Sequence, residues 1–274
     1  MSRPIAIFDT HCHYNLEPIF PDWHGAWETA QSAGVVAGLV IGVNEQSSER
    51  AVQIAAAQPN LLAAVGIHPT EAGEREALIT EEYLTQFLDT MLSIGPVAAI
   101  GETGLDYFRL TGTQSERAAI IAKQKAALTT HLAVASQRHL PVSIHVRDRD
   151  ETAYKDVIEL ITPFADLTPI ILHCFSGSDW YLDEALAQNC SISFAGNITY
   201  PSAQLLRKHA SRVPADKILV ETDAPYLPPQ THRGQTNQPV FIAETVAFLE
   251  RELSIAPEQL LTNARRIFTT IHST

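Results

Sequence analysis

The stretch Ile5-Ala6-Ile7-Phe8-Asp9-Thr10-His11-Cys12-His13 decides how this chain is read, because its apolar run ends in a carboxylate and two histidines. Alternating α/β chains that build a doubly wound open sheet place a glycine-rich phosphate turn after the first strand. No glycine follows here, and a histidine-rich strand end suits a metal ion better than a dinucleotide. Strand side chains alternate sides, so His11 and His13 point one way and Cys12 the other. The two imidazoles can therefore share one ion, although an H-x-H pair alone is also what ordinary polar residues at a strand end look like.

Outward from this stretch, short apolar and β-branched runs recur between longer amphipathic ones. Strands are expected at Ile5 to Asp9, Val36 to Ile41, Leu62 to Ile67, Val97 to Ile100, Pro141 to Val146, Pro169 to Leu172, Ser191 to Phe194 and Lys217 to Val220. Eight such strands are the number of a TIM-type (β/α)8 barrel. Helical patterns fall at Trp23 to Ala33, Ser47 to Ala57, Glu81 to Leu92, Ser115 to Arg138, Asp179 to Gln188 and Ser202 to His209. Asp179 and Ser202 are read as N-caps of the last two. A Pro-rich segment, Pro225 to Pro239, then leads to closing helices at Val240 to Glu252 and Pro257 to Thr270. No linker, repeat or low-complexity tract divides the chain, so residues 1–274 are expected to form a single barrel domain.

The 274 residues, 45% of them hydrophobic, suit the ~250 residues of one such barrel. With 31 acidic and 19 basic residues, the chain lacks a broad basic surface for gripping nucleic acid by counterion release. A nucleic-acid substrate would have to be held by local groups and metal. The N-terminus has no basic, apolar and small-residue signal pattern, and the longest apolar run, around Val35 to Val43, falls short of the ~20 residues of a membrane span. A cytoplasmic protein without membrane association is expected. Cys12, Cys174 and Cys190 have no C-x-x-C spacing and are read as reduced core thiols.

Further histidines and carboxylates arrive as apolar runs end. His145 follows Pro141 to Ile144, His173 follows Pro169 to Leu172, Glu102 follows Val97 to Gly101, and Asp223 follows Ile218 to Thr222. A lone histidine there is commonly a hydrogen-bonded structural residue and a lone acid commonly a helix cap. Repetition on several strands, at the rim where barrel chemistry gathers, changes that balance. Barrel closure brings the first and eighth strands together, which places one ion with His11, His13 and Asp223 and another with His145 and His173, bridged by Glu102. Such pairs of ions stand ~3.5 to 4 Å apart.

At these residues the sequence resembles the TatD family of the amidohydrolase-like metal hydrolases. The resemblance rests on six stretches in order: Asp9-Thr10-His11-Cys12-His13, Gly66-Ile67-His68-Pro69, Gly101-Glu102-Thr103-Gly104-Leu105-Asp106-Tyr107, Ser143-Ile144-His145, Leu172-His173-Cys174-Phe175-Ser176-Gly177 and Glu221-Thr222-Asp223-Ala224-Pro225-Tyr226-Leu227. It implies a TIM-type barrel, a two-metal site with the ligands above, and hydrolysis of phosphodiesters, commonly DNA from an end. It also implies that Glu102 stands where related barrels carry a carbamylated lysine or other bridging ligand, and that His68 belongs to the site. One departure concerns the loop that in the family often reads Arg-Gly-x-x-Asn-Glu-Pro. Here it is Arg233-Gly234-Gln235-Thr236-Asn237-Gln238-Pro239, so the charge at position 238 is absent.

Two ions can acidify a water and stabilise a leaving oxygen, so no side-chain nucleophile is required. Asp223 is expected to take the proton from that water, with Glu102 the other catalytic carboxylate. His68, Arg147 and Tyr226 are candidate substrate contacts, with Arg149 beside Arg147 in a charge run that also suits a solvated loop. Asp9 and Glu221 share the parity of His11 and Asp223 and are candidates for orienting imidazoles from one layer deeper. Tyr107, Phe175, Tyr200 and Tyr226 follow strand ends and can stack on bases, with core packing the alternative for Phe175. Zinc, manganese and magnesium all fit this donor set. Two other functions stay open: an amidohydrolase acting on a small amide, lactone or ester, and a non-catalytic metal-binding protein.

Overall fold

Each of the eight apolar runs forms a strand, and the strands pair in chain order with every pairing parallel. A computed structural model describes residues 5–75 and 79–268. Its strands are β1 (Ile7–Cys12), β2 (Val35–Ile41), β3 (Leu61–Val65), β4 (Val97–Asp106), β5 (Val142–Arg147), β6 (Ile170–Leu172), β7 (Ser191–Phe194) and β8 (Ile218–Val220). The helices are α1 (Trp23–Ser32), α2 (Glu45–Ala57), α3 (Pro69–Glu74), α4 (Glu81–Ile94), α5 (Gln114–Arg138), α6 (Thr152–Ile161), α7 (Asp179–Ala187), α8 (Gln204–Ala210), α9 (Ile242–Leu253) and α10 (Pro257–Phe268). This is the TIM-type (β/α)8 architecture.

Parallel strands of this kind are covered on both faces, and every residue of β1, β3, β4, β6, β7 and β8 is buried, the polar ones near the strand ends included. The seam between β8 and β1 is held largely by side chains. The Thr10 hydroxyl donates to the Val220 carbonyl at 2.9 Å, and the Thr222 hydroxyl donates to the Asp9 carboxylate at 2.6 Å. Just beyond, the Asp223 N–H donates to the His11 carbonyl and the His13 N–H to the Ala224 carbonyl, each at 2.9 Å. That seam sets the two ends of the chain side by side. α10 supports β1 from outside, where Phe268 stacks on Phe8 with ring centres 5.4 Å apart.

The apolar pattern placed several boundaries too early. β1 continues to Cys12 and β4 to Asp106, so His11 and Glu102 lie within strands and not after them. Backbone pairing does not depend on apolar side chains: the ladder from Thr103 to Asp106 runs on beside Ile144 to Arg147. Two caps also differ from expectation. Ser178 caps α7 by accepting from the Tyr181 N–H, leaving Asp179 as a first-turn acid, and α8 begins at Gln204 with no side-chain cap from Ser202. The reciprocal boxes Asn44/Ser47 and Thr113/Glu116 open α2 and α5. α6 was not anticipated, although Ala153, Tyr154, Val157, Ile158 and Ile161 make a helical stripe of buried residues. The acidic run Asp148 to Glu151 hid its start. Thr269 and Thr270, expected to end the last helix, lie outside the described residues. Among the described residues, no helix is long and apolar enough to cross a membrane.

Candidate metal centre

Glu102 stands at the middle of the strand ends with its two oxygens turned to different imidazoles. Oε2 lies 3.5 Å from His11 Nε2 and 3.8 Å from His13 Nε2. Oε1 lies 2.9 Å from His173 Nε2, 3.2 Å from His145 Nδ1 and 3.4 Å from His68 Nε2. Asp223 Oδ1 approaches His13 Nε2 at 3.5 Å and His11 Nε2 at 3.8 Å. The six side chains His11, His13, Glu102, His145, His173 and Asp223 thus share one site. Their donor atoms fall into overlapping groups able to hold a cation: His11, His173 and Asp223; His11, His13 and Glu102; His68, Glu102 and His145.

The backbone under Glu102 allows this approach because glycines flank it. Gly101 and Gly104 have φ of 134° and 141°, and a Cβ on Gly104 would run into the carbonyl of His145. On the other strands, Asp223 and Cys174 turn the chain with φ of 55° and 43°. Aspartate tolerates this left-handed conformation, whereas cysteine adopts it under strain.

Hydrogen bonds fix the tautomers. His13 Nδ1 is 2.9 Å from the Ile41 carbonyl, which can only accept, so this nitrogen carries the proton and Nε2 presents a lone pair to the site. Burial pulls the His11 imidazole down to about 3, in a balance that includes the repelling neighbour His173 and the opposing carboxylate of Glu102. His11 is therefore neutral near pH 7. Burial raises the Glu102 carboxyl, but His173, His68, His11 and His145 outweigh it and hold the group well below its ordinary value. His11 Nε2 and His13 Nε2 stand 3.3 Å apart and both face the carboxylates of Glu102 and Asp223. Burial opposes a proton on His13, yet Asp223 and Glu102 overcome it and raise that imidazole, so the surrounding field favours a cation here. Nitrogen and carboxylate donors converging in this field fit a divalent metal ion.

A second layer holds these groups. Glu221 Oε1 lies 3.3 Å from His173 Nδ1 and accepts the Cys174 N–H at 2.8 Å, which leaves His173 Nε2 facing Glu102. Asp9 makes different contacts: it accepts the N–H groups of Thr222 and His11 and the Thr222 hydroxyl, so it secures the β1–β8 seam and, among the described residues, meets no imidazole. Burial raises its carboxyl to about 7 against those bonds.

Three supporting residues escaped the sequence reading. Asp106 Oδ2 stands 3.4 Å from His145 Nε2; its place in the Gly101 to Tyr107 stretch was the available signal. His131 on α5 accepts the Ile67 N–H at Nε2 and donates from Nδ1 to the Ala127 carbonyl, with Thr103 Oγ1 3.1 Å away. It thereby braces the residues next to His68 and Glu102. Asn237 is buried and donates to the carbonyls of Thr222 and Tyr226, anchoring the loop after β8. That loop is ordered by Asn237, while the neighbouring Gln238 contributes its backbone N–H to the Asn237 side chain.

Around the rim, His68 caps α3 with Nδ1, which accepts from the Thr70 N–H and sits 2.7 Å from its hydroxyl. The proton of the neutral ring is therefore on Nε2, aimed at Glu102. Tyr226 is 54% exposed, its ring 6.0 Å from that of His13. Arg147 and Arg149 both lie over the Phe108 ring, and Arg233 lies over Tyr200. Tyr107 is buried and donates to Asp156, and Phe175 is buried against Tyr181, so both serve packing. Cys12 and Cys190 are buried, Cys174 is half-buried, and all three are free thiols.

Comparison with known proteins places the whole chain. A family model described as TatD related DNase matches residues 8–272. An uncharacterized metal-dependent hydrolase, YabD of Bacillus subtilis, is 32% identical over 96% of this chain and 98% of its own. The 3'-5' ssDNA/RNA exonuclease TatD of Pectobacterium carotovorum is 32% identical over 87% of this chain and 90% of its own. Among solved structures, the TatD homolog YJJV of Escherichia coli superposes with a TM-score of 0.83 at 28% identity, covering 98% of this chain and all of that one.

Proposed function

The chain belongs to the TatD related DNase family of metal-dependent hydrolases, and we propose that it hydrolyses phosphodiester bonds at the end of a single nucleic-acid strand, using two divalent ions. The observation that carries this reading is the division of Glu102, with one oxygen toward His11 and His13 and the other toward His145 and His173. A carboxylate divided in this way suits two cations better than one. In the proposed assignment His11, His13 and Asp223 hold one ion, His145 and His173 hold the other, and Glu102 serves both.

Bound divalent ions supply acidification of a water and neutralisation of phosphoryl charge. The chain's own groups do the rest. Asp223, the least enclosed of the site carboxylates, takes the proton from the attacking water. Its left-handed backbone aims Oδ1 into the site. His68 donates from Nε2 and, with a phosphate in place, holds a non-bridging oxygen. Arg147 and Tyr226 meet the substrate above. Burial of His11, His13, Glu102 and His173 removes competing water from around the scissile bond.

The test is an assay of the metal-loaded protein on single-stranded DNA, single-stranded RNA, lactones and amides. Release of mononucleotides, lost on chelation and restored by manganese, magnesium or zinc, is expected. Turnover confined to lactones or amides would assign the site to carbon-centred hydrolysis, and binding of metal without turnover of any substrate would assign it to a non-catalytic role. With Asp223→Asn, turnover is expected to vanish while the fold and thermal unfolding profile persist; near-normal turnover in that variant removes its role as base.

A further inference from the structure

Many of the arginine side chains among the described residues are occupied by protein acceptors. Arg75 pairs with Glu45, Arg138 with Asp89 and Arg212 with Asp179 and Asp183, while Arg207 donates to three carbonyls. Arg147, Arg149 and Arg233 are different. Among the described residues no carboxylate or carbonyl takes their guanidinium N–H groups, and what each side chain meets is an aromatic ring. Arg147 Cζ lies 4.1 Å and Arg149 Cζ 4.6 Å from the centre of Phe108, and Arg233 Cζ lies 4.8 Å from the centre of Tyr200.

These pairs sit at two places on the barrel mouth. Phe108 follows β4, with its N–H directed to the carbonyl of Arg147 at the end of β5. Tyr200 follows β7, with its hydroxyl bonded to the Pro228 carbonyl in the segment after β8 that also carries Arg233. Because the strands pair in order, β6 and its His173 lie between the two places. A ring beneath a guanidinium restricts its position without consuming its N–H donors, which remain available for the two oxygens of a phosphate. In a chain of net charge −12, three such cations gathered at one mouth make a local attraction for a polyanion that the rest of the surface opposes.

Resting on the nuclease reading, we infer that Arg147 and Arg149 on Phe108, and Arg233 on Tyr200, are two anchoring stations for phosphates of one single strand, on either side of the scissile bond. A single strand fits because His11 and Glu102 are buried below the rim, and a flexible backbone can dip to them between two held phosphates whereas a paired duplex cannot. Strands of several nucleotides are therefore preferred over dinucleotides.

The test measures binding of fluorescein-labelled phosphorothioate decathymidylate, which resists hydrolysis, to the metal-loaded protein by anisotropy across a sodium chloride series, for the wild type, Arg147→Ala/Arg149→Ala, Arg233→Ala and the triple variant. Removing one phosphate-binding guanidinium is expected to reduce the slope of log affinity against log salt by about 0.7, so the triple variant's slope is shallower by about 2. Affinity at low salt is expected to fall roughly tenfold or more, and the kcat/KM ratio of decanucleotide to dinucleotide to shrink with it. Lysine at the same positions keeps most of the slope and serves if the alanine variants misfold. An unchanged slope and length preference in the triple variant, with the wild type still degrading the decanucleotide, overturns the two stations alone. Equal wild-type affinity for a blunt duplex overturns the single-strand assignment, and a wild type that neither binds nor cleaves the oligonucleotide takes the nuclease reading with it.

Discussion

Asp106 Oδ2 faces His145 Nε2 at 3.4 Å, while the other nitrogen of the same imidazole faces Glu102 at 3.2 Å. The imidazole is thus held between a carboxylate at the metal centre and one outside it. Removing the outer charge weakens both the ring's orientation and its basicity, an effect worth about 10- to 100-fold in metal affinity at comparable sites. Asp106→Asn is expected to show that loss in competition with a metallochromic dye. The acceptor that receives the Arg109 N–H survives the change, so thermal stability should alter little. Unaltered metal affinity would remove the orienting role.

Glu102→Gln keeps the shape of the central side chain and removes its charge. The imidazoles on its two sides then lose the carboxylate they share, and the metal content after dialysis is expected to drop from the proposed two ions per chain to one or fewer. Turnover should fall by at least about 100-fold, since stabilisation of developing charge depends on that content. Emission spectrometry of the dialysed protein decides the point, and full metal occupancy in the variant contradicts the bridging assignment.

His131 predicts how stability responds to acid. Burial lowers its imidazole to about 4, against the bond to Ala127, from an ordinary 6.5. The unfolded chain therefore takes up a proton between pH 6.5 and 4 that the native state refuses. The contribution is complete above pH 6.5, is lost as pH falls through this window and levels off below about 4. At about 1.4 kcal/mol per pH unit it amounts to about 3 kcal/mol. In urea titrations the gap between wild type and His131→Gln should narrow by that amount from pH 7 to pH 4; parallel curves would refute it.

Gly104→Ala places a Cβ against the His145 carbonyl on a residue with φ of 141°. Both the steric clash and the backbone oppose it, and a loss of about 3 kcal/mol in urea unfolding is expected. Disruption of ladder pairing beside His145 would lower metal affinity with it. Wild-type stability would mean that β4 can shift at this point.

Asn237→Ala deprives the carbonyls of Thr222 and Tyr226 of a donor in a buried place, at a cost of about 1 to 3 kcal/mol. Because the same loop carries Tyr226, KM for oligonucleotides should rise as well. Gln238→Glu, which restores the charge common in related loops, is expected to change stability by no more than about 0.5 kcal/mol. A larger effect at 238 than at 237 in the two melting curves would reverse this ordering.

The regions read most directly were those where side chain and backbone carry the same message. Pro169 to Leu172 is apolar, Ser191 to Phe194 alternates serine with apolar side chains, and these short stretches form β6 and β7 close to the expected limits. Boundaries slipped where function interrupts the pattern. Glu102 and Thr103 break the apolar run of β4, whose ladder with β5 shifts register between Ile100 and Thr103 and then runs on to Asp106, and the acids before Thr152 concealed α6. Asp106, His131 and Asn237 were missed because each works through a partner distant in the chain. His131 on a helix braces the backbone just beyond β3 and a side chain of β4, and no local spacing announces such an arrangement.

Residue order alone carries the alternation of eight apolar runs with amphipathic segments, and the arrival of histidines and carboxylates as those runs end. Both follow from local physics: burial demands apolar strands, and strand ends are where polar side chains escape the core. Which of those groups meet depends on the closed barrel. Closing β8 against β1 brings Asp223 to His11 and His13, separated by more than two hundred residues, and the glycine-flanked turn of β4 divides the oxygens of Glu102 between them and His145 with His173. Tautomers, buried supports and guanidiniums resting on aromatic rings likewise depend on distances of a few ångströms between remote segments, which no periodicity in the chain encodes.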